Sequence, residues 1–270
     1  MATGTLSVDN CELYYEEAGS GPPVLLIHGA GAYAGLFRPC VAELESTHRI
    51  ITYDRRGCSR SSHPPVRDLK VHVVDAARLI RELFGQPVIV VGWSAGAMIA
   101  PHLAISHPET TASLVLAEPP LQLKAPRPIA LGAVARWELK RLTSGPKAGA
   151  EVFYRWVSQY RGDGNAFDTY PQEWRDEMLN NAAALFAEIR LGGGALGEGV
   201  RRSQLAALQL PIQVLFGTRS APVFAPAARY LLRVVQGSEL VMVPEAGHMI
   251  PTDRPDLVTQ AVRRASDSVV

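Results

Sequence analysis

Residues 88–96 of this chain read VIVVGWSAG. The four apolar residues at the start are typical of a buried β-strand, and the AMIA that follows at 97–100 is typical of a helix. Ser94 therefore stands at the turn between strand and helix, with glycines at 92 and 96. Glycine at both positions permits a sharp turn, because a Cβ atom there would collide with neighbouring backbone. The pattern predicts a serine hydroxyl held above the end of a strand, where a base can reach it.

The base is expected to be a histidine, because a serine hydroxyl is a weak nucleophile until a neighbouring group takes its proton. The chain has seven histidines. His248, in the stretch EAGHM at 245–249, directly follows a late predicted strand at 240–243. The other six lie earlier in the chain, in or beside predicted loops and helices. We therefore expect His248 to be the base.

Short apolar runs alternate with helical patterns along most of the chain. Further strands are predicted at 23–27, 49–53, 113–117, 212–216 and 240–243, and an initial hairpin is predicted over 5–17. Helices are predicted at 36–44, 68–84, after the serine turn, near 222–235 and from about 255. This alternation is typical of a sheet covered on both faces. The predicted fold class is α/β, with a mostly parallel eight-stranded sheet.

Residues 121–208 interrupt the alternation. They contain no convincing strand and are typical of several helices, with Gly192–Gly194 as a flexible joint. We predict a core domain formed by 1–120 and 209–270, with a helical cap inserted at 121–208. Nine aromatic residues in the insert predict an apolar pocket between cap and sheet. The residues expected to line it are Trp137, Tyr154, Trp156 and Trp174, together with Trp93 beside the serine.

The composition argues against several classes of partner. A formal net charge of +1 over 270 residues gives no basic surface for a nucleic acid or a membrane. No apolar run approaches the ~18 residues that span a bilayer, and the N-terminus lacks the features of a signal peptide. Three cysteines without C-x-x-C spacing predict neither a metal site nor a disulfide framework. We expect a cytoplasmic protein that needs no metal or cofactor and acts on a small molecule.

The chain resembles the α/β-hydrolases over essentially its full length. The matching segments are the His28-Gly29 loop, YDRRGCSRS at 53–61, the serine turn and Gly247-His248. In that family the turn is the nucleophile elbow, and the triad follows in the order Ser, then Asp or Glu, then His. The resemblance implies the α/β-hydrolase fold, a cofactor-free serine hydrolase and a mainly structural role for residues 54–57.

The triad acid is where this chain departs from the commoner family pattern. Many members carry Asp after the penultimate strand in a G-x-x-D turn, whereas here that turn ends in Ser220. A serine has no charge with which to stabilise an imidazolium. Glu118 directly follows an earlier strand, and zearalenone-type lactonases resemble this chain in carrying their acid there. Asp253 and Asp256 are poorer candidates, being so close in sequence to His248.

The resemblance also implies two donors for an oxyanion. One is the backbone N–H of Ala95, the residue after the nucleophile. Ala95 also opens a helix, where free N–H groups and the helix dipole favour negative charge. The second donor is expected in the loop HGAG at 28–31, most readily the N–H of Ala30. Small residues in that loop let the backbone approach a substrate.

These residues predict a serine hydrolase that cleaves a hydrophobic carboxylic ester or lactone through an acyl-enzyme on Ser94. Two other classes stay open. One is a different enzyme on the same triad: a carbon–carbon hydrolase, a thioesterase or acyltransferase, or a lyase. The other is a ligand-binding protein without turnover, an alternative suggested by the absence of an Asp at position 220. A further alternative is that Ser220 is an engineered replacement of an original Asp. The natural substrate and the oligomeric state are not predicted.

Removing the charge of the acid while keeping its shape tests the assignment of Glu118. We expect Glu118→Gln to lower kcat/KM by about a hundredfold or more, because a neutral amide cannot stabilise the imidazolium formed on His248. Steady-state hydrolysis of an ester by the two proteins measures the effect. A wild-type kcat/KM in the variant would contradict the assignment.

Overall fold

One mostly parallel sheet organises the chain. The structure is a computed structural model that describes residues 1–120, 128–189, 200–222 and 224–269. The strands are β1 (Ala2–Val8), β2 (Cys11–Ala18), β3 (Pro23–Ile27), β4 (Arg49–Tyr53), β5 (Val88–Trp93), β6 (Thr111–Ala117), β7 (Ile212–Gly217) and β8 (Glu239–Val243). Their order across the sheet is β1-β2-β4-β3-β5-β6-β7-β8. The pairs β1–β2 and β2–β4 are antiparallel, and the other five neighbouring pairs are parallel. The predicted α/β fold with eight strands is confirmed.

Helices cover both faces of this sheet. The helices in the described residues, including those of the predicted cap, are α1 (Arg38–Leu44), α2 (Leu69–Leu79), α3 (Gly96–Ser106), α4 (Pro128–Ser144), α5 (Pro146–Val157), α6 (Ala166–Thr169), α7 (Gln172–Asn180), α8 (Ala182–Glu188), α9 (Arg202–Ala206), α10 (Ala225–Val234), α11 (Ile250–Asp253) and α12 (Pro255–Val269). A turn of π-helix, Ile80–Phe84, extends α2 to the end of the predicted range. Short 3₁₀ turns precede α1 and β6.

The central strands are buried on both sides. On β3, Leu25 and Ile27 belong to the apolar core shared with α2, α3 and α10. Val24 and Leu26 belong to a second core, shared with α1 and α12. All four side chains are fully buried. A strand covered on both faces needs apolar residues at every position, which explains why these strands are continuous apolar runs in the sequence.

The helices α4 to α8 lie within the predicted cap, and two buried contacts attach them to loops of the core. Arg55 Nη2 lies 3.0 Å from the Glu188 carboxylate at the end of α8, and both side chains are almost fully buried. On α5, the hydroxyl of Tyr154 donates to the backbone carbonyl of Gly31 at 2.8 Å. The first contact connects the insert to the segment after β4, and the second connects it to the loop after β3.

One helix of the insert packs with the core. Leu205 on α9 belongs to the same apolar core as α3 and α10, although the predicted cap extends to residue 208. The division into core and cap stays a prediction, and the structure associates α9 with the core side. The predicted joint at Gly192–Gly194 lies outside the described residues.

The serine turn depends on close backbone packing between neighbouring elements. A Cβ on Gly96 would lie 2.0 Å from the backbone oxygen of Ile27, and one on Gly92 would lie 2.4 Å from the backbone oxygen of Gly96. Both distances are far below a normal van der Waals contact. Helix α3 can therefore sit this close to β3 and β5 only because these positions lack side chains.

A single added methyl group tests this packing. We expect Gly96→Ala to lower the free energy of unfolding by about 1–3 kcal/mol, because the backbone must move to admit the Cβ. Gly132→Ala is the matched control, since a Cβ on this helical glycine meets nothing within 4 Å. The control should leave stability unchanged or raise it by roughly 0.5–1 kcal/mol. Urea denaturation compares the two, and equal stabilities would contradict the packing argument.

Candidate active site

Ser94, Glu118 and His248 follow β5, β6 and β8 and meet at the carboxyl edge of the parallel strands. His248 Nε2 lies 3.0 Å from Ser94 Oγ, and His248 Nδ1 lies 3.4 Å from Glu118 Oε2. Glu118 and His248 are buried, whereas Ser94 is partly exposed. The longer distance exceeds that of an ordinary hydrogen bond, as is common in catalytic sites that hold no substrate. The structure thus brings together the three residues predicted as a triad.

Two of these residues have unusual backbone conformations. Ser94 has φ of 54° and Glu118 has φ of 51°, in the left-handed region that costs a residue with a side chain about 1–2 kcal/mol. Each is held there by the sheet. The Ser94 N–H donates to the carbonyl of Ala117 at 2.9 Å, and the Glu118 N–H donates to that of Leu215 at 3.0 Å. Strain of this kind is characteristic of functional sites.

The Glu118 carboxylate has two donors besides the histidine. Its Oε1 accepts a hydrogen bond from the N–H of Gly217 at 2.8 Å and another from the hydroxyl of Ser220 at 2.6 Å. Its Oε2 remains available to His248. Ser220 therefore occupies the turn in which the resemblance places the acid of many family members, and it donates to Glu118, the predicted acid. In the sequence, the signal for this proximity is that Ser220 stands where many family members carry their acid in a G-x-x-D turn.

Two aromatic rings contact His248, and only one of them belongs to the predicted site. Trp93 Nε1 donates to the His248 carbonyl at 2.8 Å, and the Trp93 ring is buried beside Phe37. Trp93 thus supports the histidine loop from the core, and its predicted place in a pocket stays a prediction. The Phe224 ring stacks on the imidazole with centroids 4.1 Å apart and an interplanar angle of 11°. Phe224 belongs to no motif, and no signal in the sequence singles it out.

The loop predicted to supply an oxyanion donor is held by buried polar groups. The Gly29 carbonyl accepts from Arg55 Nη2 at 2.7 Å. His28 Nε2 accepts from the Arg55 backbone N–H at 2.9 Å, so the proton of a neutral ring is on Nδ1, which donates to the Gly29 carbonyl at 2.8 Å. Burial, together with the Arg55 charge, lowers the pKa of His28 well below its usual value. His28 is therefore a neutral structural residue.

Of the two predicted donors, Ala95 adjoins the serine in the chain, and Ala30 lies in the loop that packs against the serine. Ala95 directly follows Ser94 and is the N-cap of α3. The N–H groups at the start of a helix have no carbonyl partner within it. On the other side, a Cβ on Gly29 would lie 3.1 Å from Ser94 Cβ, which places the loop against the nucleophile. The role of both N–H groups stays a prediction.

The cap aromatics predicted to form a pocket occupy different environments. Trp137 is buried and packs against Phe153 and Trp156 inside the cap. Tyr154 is also buried, with its hydroxyl on the core loop. Trp174 is partly exposed and packs against Tyr170. These positions are those of packing residues in the cap.

Among the predicted pocket residues of the cap, Trp156 comes nearest to the triad through described contacts. Its ring lies 6.5 Å from that of Phe224, which covers His248. Trp156 also lines a cavity of about 600 Å³ on the cap. Two further cavities, of about 310 Å³ beside Ser220 and about 470 Å³ beside Ile105, lie elsewhere. None of these three is lined by Ser94, so the predicted substrate pocket stays a prediction.

Residues 54–57 position loops of the core. Asp54 accepts from the backbone N–H of Ala34 at 2.8 Å and pairs with Arg60 at 2.6 Å. Arg56 pairs with buried Asp75 at 2.6 Å. These contacts hold the segment after β4 in place and do not touch the reacting atoms of the triad.

Groups capable of other chemistry are few in the part of the chain that the structure describes. Within it, no cluster of three or more His, Cys, Asp or Glu side chains is arranged to hold a metal ion. All three cysteines are buried free thiols, and burial raises the pKa of Cys58 well above its usual value. Among the described helices, none has the length and apolar character needed to cross a bilayer.

The chain matches the family described as "Alpha/beta hydrolase family" over residues 24–261, and it belongs to this family. A pimeloyl-[acyl-carrier protein] methyl ester esterase of Chromobacterium violaceum is 28% identical over 252 residues, covering 87% of this chain and 91% of that protein. The uncharacterized hydrolase YraK of Bacillus subtilis is 38% identical over 119 residues, and the match spans 43% of this chain and 44% of YraK. A solved thermophilic esterase of Thermogutta terrifontis is 26% identical, with 100% of this chain and 99% of that chain covered and a TM-score of 0.79. The predicted fold and hydrolase class are confirmed.

Removing the hydroxyl of Ser220 tests its part in the site. We expect Ser220→Ala to lower kcat about tenfold, because a buried charged acceptor loses one of its donors. Ser113→Ala is the matched control, since Ser113 is buried on β6 and its hydroxyl has no hydrogen-bond partner. Steady-state kinetics compares the two variants. If both keep wild-type kcat, the Ser220 contact has no part in catalysis.

Proposed function

We propose that this protein is a serine hydrolase that cleaves a hydrophobic carboxylic ester or lactone through an acyl-enzyme on Ser94. The observation that carries the proposal is the 3.0 Å contact between Ser94 Oγ and His248 Nε2. It occurs on a strained turn at the edge of the sheet, where a nucleophile is accessible. The esterase names of the Chromobacterium and Thermogutta relatives agree with this chemistry.

In the acylation step, Ser94 Oγ attacks the carbonyl carbon while its proton passes to His248 Nε2. The opposite ring nitrogen, Nδ1, faces the Glu118 carboxylate, which orients the ring and stabilises the imidazolium. His248 then protonates the leaving alcohol, and the C–O bond of the ester or lactone breaks. In a lactone the alcohol remains attached to the acyl group.

In the deacylation step, water takes the place of the serine. His248 accepts a proton from the water, which attacks the acyl carbon, and then returns a proton to Ser94 Oγ. Each tetrahedral intermediate carries a negative oxygen. The backbone N–H groups of Ala30 and Ala95 are the proposed donors to that oxygen, and main-chain donors of this kind require no reorganisation during the reaction.

The proposed substrate is apolar because aromatic side chains surround the base. Phe224 covers one face of the His248 ring, and Trp156 of the cap packs against Phe224. An apolar surrounding with a few placed polar groups is typical of a site for a small hydrophobic molecule. A lactone is included by analogy, because the proposed acid follows β6 and zearalenone-type lactonases resemble this chain in that placement.

The alternatives differ in their consequences for Ser94. A protein that only binds a ligand has no need of an activated serine, and the contact of Glu118 with His248 supports activation. A carbon–carbon hydrolase, a thioesterase or a lyase would use the same triad. Product analysis by mass spectrometry separates these reactions from ester hydrolysis.

Labelling with a fluorophosphonate tests the proposal directly. We expect one covalent adduct on the wild type by intact-mass spectrometry, because the reagent traps serines whose hydroxyl is activated by a base. Ser94→Ala should give no adduct, and Ser113→Ala should label like the wild type. Absence of an adduct on the wild type over hours would contradict the proposal. A panel of p-nitrophenyl esters and lactones then measures which acyl groups are hydrolysed.

A further inference from the structure

Phe224 makes the closest ring contact to His248, and the mechanism above does not use it. The two ring centroids are 4.1 Å apart and the planes differ by 11°. Phe224 is 5% exposed and lies at the N-cap of α10, on the segment that follows β7. The same segment carries Ser220, which donates to Glu118.

The other groups around His248 approach from different directions. Ser94 and Glu118 contact the two ring nitrogens, and hydrogen bonds at those atoms lie in the ring plane. Trp93 is tilted by 46° at 6.2 Å. Among the described residues, the charged groups near the histidine are Glu118, which contacts Nδ1, and Asp253, which interacts with it electrostatically. The Asp253 carboxylate accepts from the Gly247 N–H at 2.8 Å. In the described part of the chain, Phe224 is the group stacked flat against the ring.

A stacked benzene ring distinguishes the two charge states of the histidine. The face of an aromatic ring is negative, so it attracts a cation above it more strongly than a neutral ring. During the proposed reaction, the imidazolium of His248 forms as the proton leaves Ser94. An interaction that is stronger in the transition state than in the ground state accelerates the reaction.

Packing holds the Phe224 ring in this position. The Phe224 N–H donates to the carbonyl of Ala221, and the Phe224 carbonyl accepts from Ala227, both at 3.1 Å. The Phe224 ring also lies 6.5 Å from that of Trp156 on α5. Backbone hydrogen bonds and a neighbouring ring therefore fix the position of Phe224, whose ring covers one face of the imidazole.

We propose that Phe224 is a positioning residue that stabilises the cationic form of His248 by stacking on its face. The inference rests on the proposed serine-hydrolase function and adds a residue to its machinery. It also gives the segment after β7 a second task, since Ser220 orients the acid and Phe224 supports the base.

Replacing the aromatic face with an aliphatic side chain tests the proposal. We expect Phe224→Leu to lower kcat roughly 3- to 30-fold, as the loss of a buried cation–π contact implies. The midpoint of the acidic limb of the kcat/KM–pH profile should move to lower pH by roughly half a unit to one unit, because the cation is less stable. Phe224→Tyr, which keeps an aromatic face, should retain the wild-type midpoint.

Phe216→Leu is the matched control, since Phe216 lies on β7 and packs against the core that contains α3 and α10. It should change neither kcat nor the midpoint. If Phe224→Leu loses activity while the midpoint stays unchanged or rises, Phe224 only fills space and the inference is wrong.

A second measurement tests the role of Phe224 independently of the proposed serine-hydrolase function. NMR titration of the His248 ring, with the resonance identified by its absence in His248→Gln, follows the charge state without turnover. A lower titration midpoint in Phe224→Leu supports the inference, and an unchanged midpoint overturns it. Failure of wild-type Ser94 to react with a fluorophosphonate would overturn the proposed function instead.

Discussion

The site depends on the need of one buried carboxylate for hydrogen-bond donors. Glu118 is 1% exposed, and an ionised carboxylate without partners in such a place costs several kcal/mol. Its partners come from the ends of neighbouring strands: Gly217 at the end of β7, Ser220 after β7, and His248 after β8. The carboxylate proposed to orient the base therefore also connects the ends of three adjacent strands.

A buried cation, Arg55, likewise connects separate parts of the chain near the nucleophile. Arg55 is fully buried, donates to the Gly29 carbonyl and pairs with Glu188 at the end of α8. The loop beside Ser94 thus shares a cation with the cap. Removal of either partner would leave a charge without compensation in the interior, which is far more costly than loss of an exposed ion pair.

The elements of the fold could be predicted because their signals are local. A doubly buried strand is a run of apolar residues, and Gly92 and Gly96 indicate the serine turn through the space that a side chain would need. Ser94 and His248 could be predicted because each follows a predicted strand. Glu118 could be predicted because it also follows a strand, and because the usual position of the acid holds the uncharged Ser220. The stacking of Phe224, the core position of Trp93 and the packing of α9 could not be predicted. Those features depend on which side chains meet across distant parts of the chain. Hydrophobic periodicity shows which face of a helix is buried, but not which element that face packs against.

The 2.6 Å bond between Ser220 and Glu118 also shows how little space separates the two strand ends beside the histidine. The Glu118 side chain reaches the turn after β7 with one carboxylate oxygen and faces His248 with the other. A carboxylate introduced at position 220 would therefore lie against the one already present, and two like charges in a buried place repel each other. The small, neutral hydroxyl of Ser220 avoids that repulsion, so the presence of a carboxylate at one strand end constrains which residue fits at the next.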